Sequence, residues 1–373
     1  MRSDFHESSE ALKREVLERL FLGFEGTELP GEMAALLASG LAGVAIYTRN
    51  YNDPIGLRAL TDAIRHAAKQ PVVIGIDQEG GSTRFALQPP FTVWPSPSEL
   101  AKLNDPALVE QVARAMAREL HASGVNLDFA PMLDLATNPA SPVTSGRSFG
   151  ASPENAARMG VAFLRGLAAE GILACAKHFP GHGDAAIDPH IDLPRFDGTP
   201  ERLAHHELLP FAAAIAAHVP SIMTAHILLP QLDPDRPASI SPVVLQDILR
   251  RQLRFDGVIL ADDLGMGAIA RRYGPGESVV QTLAAGSDIA MVCHDSTVVP
   301  QAIDAVARSL QEGRFEPAQW SAGRTRIARL REQLRAAETS HPSPPLDLVG
   351  CAEHRALAQE IRTRLARAPD PPL

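Results

Sequence analysis

Short apolar runs recur along the chain, and each is followed by a segment with helical periodicity. The runs are Leu20–Phe24, Val44–Tyr47, Val72–Ile76, Val125–Ala130, Ile172–Ala176, Ser221–Ala225, Val258–Ala261 and Asp288–Val292. Near-continuous apolar runs of this length suit strands buried on both faces. Between them lie helix start signals. Asp53-Pro54, Ser152-Pro153 and Ser241-Pro242 each place a capping oxygen before a proline at the first helical position. Leu108, Val112, Met116 and Leu120 form one apolar stripe, and Gly124 and Gly171 mark helix ends. Strand–helix alternation of this kind predicts a single (β/α)8 TIM barrel. An open doubly wound sheet calls for a glycine-rich phosphate turn after an early strand, and Gly23-Phe-Glu-Gly26 is not one.

The pattern changes after residue 339. Ser340-His-Pro-Ser-Pro-Pro345 reads as a linker, followed by a charged helix over Ala352 to about Ala366 and a proline-rich end. The predicted organisation is therefore a barrel over 1–339 and a linker with a C-terminal helix over 340–373. The latter is too short for a second domain.

Composition narrows the partners. Lys and Arg total 35 against 44 Asp and Glu, a net charge of −9 with no basic stripe, which argues against nucleic acid. Cys175, Cys293 and Cys351 form neither a disulfide framework nor a C-x-x-C zinc pattern. The opening MRSDFHESSEALKREVLERL lacks the apolar core of a signal peptide, and Ala34–Tyr47 is too short to span a bilayer. A cytoplasmic protein without a membrane partner is expected. Aromatic residues are 5% of the chain, so a sugar site would be a small polar pocket and not a stacking platform.

In such a barrel the chemistry gathers where the strands end. Asp77-Gln-Glu-Gly-Gly-Ser-Thr-Arg84 follows strand three. Pro131, Asp134 and a loop with Arg147-Ser-Phe-Gly150 follow strand four. Lys177-His-Phe-Pro-Gly-His-Gly-Asp184 follows strand five and runs on to Asp188-Pro-His190. His226 follows strand six, Asp262-Asp263 strand seven, and His294-Asp295 strand eight. Asp188 and His190 are two apart, so an extended segment sets them on one side as a general acid/base pair. The same loop also reads as a plain turn, or as a metal site of His178, His182, Asp184 and His190. Asp262 reads as a nucleophile, a general base or a helix cap, a task Asp263 could also fill. Asp77 and Arg84 could form a turn-closing ion pair, with Lys177 as a buried counter-charge. Alternatively, Arg84, Arg147, Lys177 and His178 donate and Asp77 accepts, a mixture suited to a polyhydroxylated ligand.

DQEGG at 77–81, RSFG at 147–150, KHFPGHGD at 177–184 with D-x-H at 188–190, MTAH at 223–226 and FDGVILADDLGM at 255–266 resemble glycoside hydrolase family 3. Within it the pattern is similar to the bacterial β-N-acetylglucosaminidases (β-N-acetylhexosaminidases), over about residues 20 to 335. The resemblance implies a retaining exo-acting enzyme with a covalent glycosyl intermediate on Asp262. His190 would be the acid/base, assisted by Asp188, and Asp77, Arg84, Arg147, Lys177 and His178 would contact sugar. It implies a small sugar or glycoside substrate, no cofactor, no metal, and a place in cell-wall sugar recycling. The family's β-glucosidases take their acid/base from a second domain. CAEHRALAQEIRTRLARA resembles the opening helix of that domain, and the chain ends at Leu373. Both features point to the N-acetylhexosaminidase subgroup. Three departures stand out: the shortened run before Arg84, Pro189 inside D-x-H, and Gly23 where many relatives have Asp. The rival readings are a phosphorylase with the same residues, a sugar-binding barrel without turnover, and a metallohydrolase.

Overall fold

The computed structural model describes residues 2–81, 85–185, 187–294 and 298–367. Arg84 and Asp295 therefore lie outside the described residues. Eight parallel strands close into a barrel: β1 (Leu20–Leu22), β2 (Gly43–Ile46), β3 (Val73–Ile76), β4 (Leu127–Asp128), β5 (Leu173–Phe179), β6 (Ser221–Thr224), β7 (Val258–Ala261) and β8 (Ile289–Val292). Each strand neighbours the next in sequence, and β8 closes on β1 through Leu20 beside Ala290. Every run expected from the sequence forms its strand, so the (β/α)8 reading stands.

Alternation along the strands separates two apolar layers. Phe21, Ala45, Val73, Leu127, Cys175, Met223, Leu260 and Met291 fill the barrel interior, while Leu20, Val44, Ile74, Ile259 and Ala290 face the surrounding helices. Ile327, Leu330 and Leu334, from the helix Pro317–Ser340, belong to the interior cluster and plug its N-terminal end. The opposite end stays open for polar side chains.

Local chemistry sets the element bounds. Asp53 and Ser152 cap the helices Pro54–Ala67 and Pro153–Ala168, accepting from Gly56 N at 2.7 Å and Asn155 N at 3.2 Å. Ser241 accepts from Val244 N at 3.3 Å, but the helix it opens, Val243–Gln252, is wound as a π-helix. Strand β4 is shorter than its apolar run, and side chains add to the backbone pairing around it. Asn126 bonds Ile74 N at 2.7 Å and Val72 O at 3.0 Å, and Asp128 accepts Gln78 N at 2.9 Å. Strand β5 is longer than expected and carries Lys177 and His178 within it instead of in the loop beyond.

The helix Ala352–Arg367 docks on the barrel. Buried Glu119 accepts from Gly350 N at 3.1 Å and pairs with His354 Nδ1 at 2.7 Å, while Arg364 pairs with Asp105 at 3.1 Å. Among the described residues no helix is long and apolar enough to cross a membrane.

Candidate active site

The C-terminal rim of the barrel holds a pocket of about 780 Å3, counting its open mouth. Asp77, Arg147, Lys177, His178, Asp188, His190 and Asp262 all line it, so seven of the eight residues singled out from the sequence converge. The eighth, Arg84, lies outside the described residues.

Past β3 the chain turns at Gly80 and Gly81, both at positive φ (91° and 79°), which glycine adopts without steric cost. The turn presents Asp77 and Glu79 to β5. Lys177, 2% exposed, pairs with Asp77 and reaches Glu79 at 2.7 Å. Asp77 thus has Lys177 as its partner. Arg147 grips Glu79 in a two-point contact at 2.7 and 2.6 Å, donates to Val143 O at 3.1 Å, and lies 3.7 Å over the Phe85 ring. Burial alone would raise the Glu79 pKa, but Arg147 and Lys177 outweigh it and bring it to about 2. Burial would lower the Lys177 pKa, yet Asp77 and Glu79 hold it above the ordinary lysine value. The result is a rigid, charged hydrogen-bonding wall. Glu79, which organises it, was missed in the sequence. Its signal was the i, i+2 spacing from Asp77.

Asp134 ties three loops together. It accepts from His178 N at 3.2 Å and His182 N at 2.5 Å, pairs with His178 Nδ1 at 2.7 Å, and its carbonyl accepts from Ser148 Oγ at 2.6 Å. The pairing fixes the His178 ring and leaves Nε2 for the pocket. Asp184, a member of the metal alternative, turns to Arg202 at 3.2 Å and Thr137 at 3.4 Å. Among the described residues no three His, Cys, Asp or Glu side chains are grouped to hold a metal ion.

His182 is buried, and neither ring nitrogen has a hydrogen-bond partner. Burial pushes its pKa down to about 4, with Asp134 opposing. An unfolded histidine takes its proton near pH 6.5. His182 therefore stabilises the fold fully above that pH and loses this contribution as pH falls towards 4, on the order of 3 kcal/mol in all. Thermal unfolding of wild type and His182→Leu at pH 7.5 and 5 checks this. The wild type is expected to lose more stability than the variant on acidification; parallel losses would exclude His182 as the cause.

At the end of β7 the two aspartates diverge. Asp262 stays at the pocket, its Oδ1 accepting from Asp263 N at 2.8 Å. Burial would raise its pKa, but His178, His226 and that N–H hold it below the usual carboxylate range, so it is ionised at neutral pH. Asp263 also borders the pocket, but its carboxylate is taken up by neighbours: it accepts from Cys293 N at 2.9 Å and Gly265 N at 3.1 Å, and pairs with His294 Nδ1 at 2.6 Å. The expected helix-cap role of Asp263 is corrected: the next helix, Gly267–Ala270, has Met266 at its cap, and Asp263 instead ties the β7 loop to the end of β8. His226 is buried beneath, bonded to Ser239 Oγ at 2.7 Å and to Asp263 O at 3.0 Å. His294 also lines the pocket, its ring 5.6 Å from that of Tyr47.

The loop after β5 returns over this end of the site. Asp188 Oδ1 accepts from His190 N at 2.9 Å and pairs with His190 Nδ1 at 2.7 Å. The side chains meet, but on a tight turn and not on the extended segment that the spacing predicted, because Ile191 N and Asp192 N bond back to Asp188 O at 2.9 and 3.2 Å. The His190 side chain is 45% exposed at the pocket mouth.

Comparison with known proteins agrees with this geometry. A beta-hexosaminidase of Thiobacillus denitrificans is 36% identical over 345 residues, covering 86% of this chain and 92% of that protein. The glycoside hydrolase family 3 beta-N-acetylglucosaminidase of Paenibacillus sp. superimposes with a TM-score of 0.87 at 35% identity, over 94% of this chain and 68% of that one. NagZ from Neisseria gonorrhoeae, solved in complex with N-trifluoroacetyl-D-glucosamine, has a TM-score of 0.74 at 28% identity, over 93% of this chain and 98% of that one. Residues 27–330 match the family described as Glycosyl hydrolase family 3 N terminal domain. With its barrel, its rim of charged residues and these relatives, this chain belongs to glycosyl hydrolase family 3.

Proposed function

We propose that the protein is a retaining exo-β-N-acetylglucosaminidase that removes terminal, non-reducing β-linked N-acetylhexosamine from small glycosides. The observation that carries this reading is one pocket lined by both an ionised Asp262 and the Asp188–His190 pair. In the first step an Asp262 carboxylate oxygen attacks the anomeric carbon, and the bond to the leaving-group oxygen breaks. Protonated His190 gives that oxygen its proton. In the second step His190, now neutral, takes a proton from water as the water attacks the anomeric carbon. The ester to Asp262 breaks, and the sugar leaves with retained configuration. The usual retaining arrangement uses two carboxylates; here an imidazole held by Asp188 does the proton transfers. Asp77, Arg147, Lys177 and His178 bind sugar hydroxyls, and Arg84 joins them. Asp188 keeps the His190 proton on Nδ1, which directs Nε2 at the scissile oxygen.

The cellular reading is cytoplasmic, in recycling of cell-wall sugars. Relatives named beta-hexosaminidase and beta-N-acetylglucosaminidase support the sugar in this reading.

A panel of aryl β-glycosides tests the substrate class. The N-acetylglucosaminide is expected to be hydrolysed roughly tenfold or more better than the glucoside, well within what a site that hydrogen-bonds a substituent can discriminate. Equal or reversed preference removes the N-acetylglucosaminidase reading. A phosphorylase is the second reading, because a neutral imidazole repels an approaching phosphate less than a carboxylate does. Running the same assay with and without phosphate separates the two, since only a phosphorylase yields the sugar 1-phosphate.

A further inference from the structure

The turn that carries Asp188 and His190 belongs to the loop after β5, yet it rests on the segment after β7. Ala268 N donates to Pro189 O at 3.0 Å. Beside it, a Cβ on Gly267 would lie 2.6 Å from His190 O and 3.0 Å from Ile191 O. Both neighbours are backbone oxygens, so no side-chain rotation can make room. Arg272 adds an ion pair to Asp192 at 3.1 Å. Within the turn, Ile191 N and Asp192 N bond back to Asp188 O. Pro189 is buried at the centre of the turn, while Ile187 and Ile191 on either side of it are 44% and 63% exposed. The segment on which it rests is the one that starts at Asp262.

We infer that Gly267 is a positioning residue for the acid/base. Its missing side chain lets the His190 turn sit directly against the chain that leaves Asp262, and this contact sets the spacing between His190 and Asp262. The inference rests on the function proposed above. A methyl group at 267 lifts the turn and carries His190 and Asp188 away together, so their mutual pairing survives. Asp262 lies upstream at the end of β7 and keeps its own contacts to Asp263 N and Thr224 O. The loss therefore falls on proton transfer alone, and proton transfer matters only when the leaving group needs it.

The test compares alkyl and dinitrophenyl N-acetylglucosaminides in wild type, Gly267→Ala and Ala268→Pro. The second variant removes the N–H given to Pro189 O, at a helical position where proline is tolerated. Each variant is expected to lose roughly tenfold or more in kcat/KM on the alkyl substrate, a part of the 10² to 10⁴ an acid supplies. On the dinitrophenyl substrate the expected change in kcat/KM is small. Covalent trapping by a 2-fluoro dinitrophenyl sugar, which needs no acid, is expected to keep its wild-type rate, and this readout separates displacement of His190 from general misfolding. Equal loss on both substrates, or no loss in either variant, overturns the inference. His190→Ala measured alongside distinguishes its failure from that of the underlying reading. If His190→Ala is leaving-group dependent and the two variants are not, only the positioning role falls. If His190→Ala is not leaving-group dependent, the acid assignment falls and the inference with it.

Discussion

Asp262→Ala is expected to be nearly inactive on every substrate, with a loss on the order of 10⁴-fold or more in kcat, as for other removed nucleophiles. The reason is that no leaving group can compensate for a missing nucleophile: without Asp262 the covalent intermediate has nowhere to form. A dinitrophenyl glycoside, which departs without protonation, is therefore expected to fail as completely as an alkyl one. Azide can enter the space the carboxylate vacates and give the inverted glycosyl azide, a product that wild type does not form by this route. A 2-fluoro sugar with a good leaving group is expected to trap wild type covalently, and peptide mapping to place the adduct on Asp262. The neighbouring carboxylate is the internal control. Asp263→Ala leaves the buried Cys293 N–H without its acceptor, which costs about 1–3 kcal/mol of stability, but it keeps the trap. An adduct on Asp263, or full activity in Asp262→Ala, would sink the mechanism.

His190→Ala is expected to show the opposite dependence. Protonating a poor leaving group contributes about 10² to 10⁴ in rate, so the variant loses that much on alkyl glycosides. A dinitrophenolate is already a stable anion, and formation of the intermediate from it is expected to be nearly unaffected. Breakdown of the intermediate still needs a base, so the variant accumulates glycosyl-enzyme on activated substrates and shows a burst of phenolate. Asp188→Asn is expected to lie between the two, because it weakens the hold on Nδ1 without removing the imidazole. Uniform loss across leaving groups in His190→Ala would exclude His190 as the acid. The contrast between these variants is sharper than either alone, since the two residues act on different bonds of the same step.

Much of the site was legible because the barrel turns sequence order into position. Each strand-end motif in a closed parallel barrel faces the same rim, so placing Asp77, Arg147, Lys177, His178, Asp188, His190 and Asp262 after successive strands was enough to gather them. The pairing of Asp188 with His190 was equally local, a matter of two residues on one turn. What the sequence could not give was which charges would meet across the rim. Glu79 looks like any turn residue until Arg147, 68 positions later, closes on it. Asp134 has no local partner, and only the return of β5 brings His178 and His182 to it.

Apolar periodicity, capping residues and glycine-ended helices determined by themselves that this chain makes eight strands with helices between, because those signals act over a few residues. The motifs at the strand ends determined the family and the types of groups available. Tertiary structure alone decided how two adjacent aspartates at the pocket divide their work: Asp263 is taken up by donors just past β8, while the Asp262 carboxylate accepts only the Asp263 N–H among the described residues. It also decided why positions 23 and 267 are glycine. A Cβ at Gly23 would lie 2.2 Å from Cys293 O, and one at Gly267 would strike His190 O, contacts made by chain segments far apart in sequence. Such close approaches and long-range ion pairs depend on distances between elements, which closure of the barrel fixes and no local pattern records.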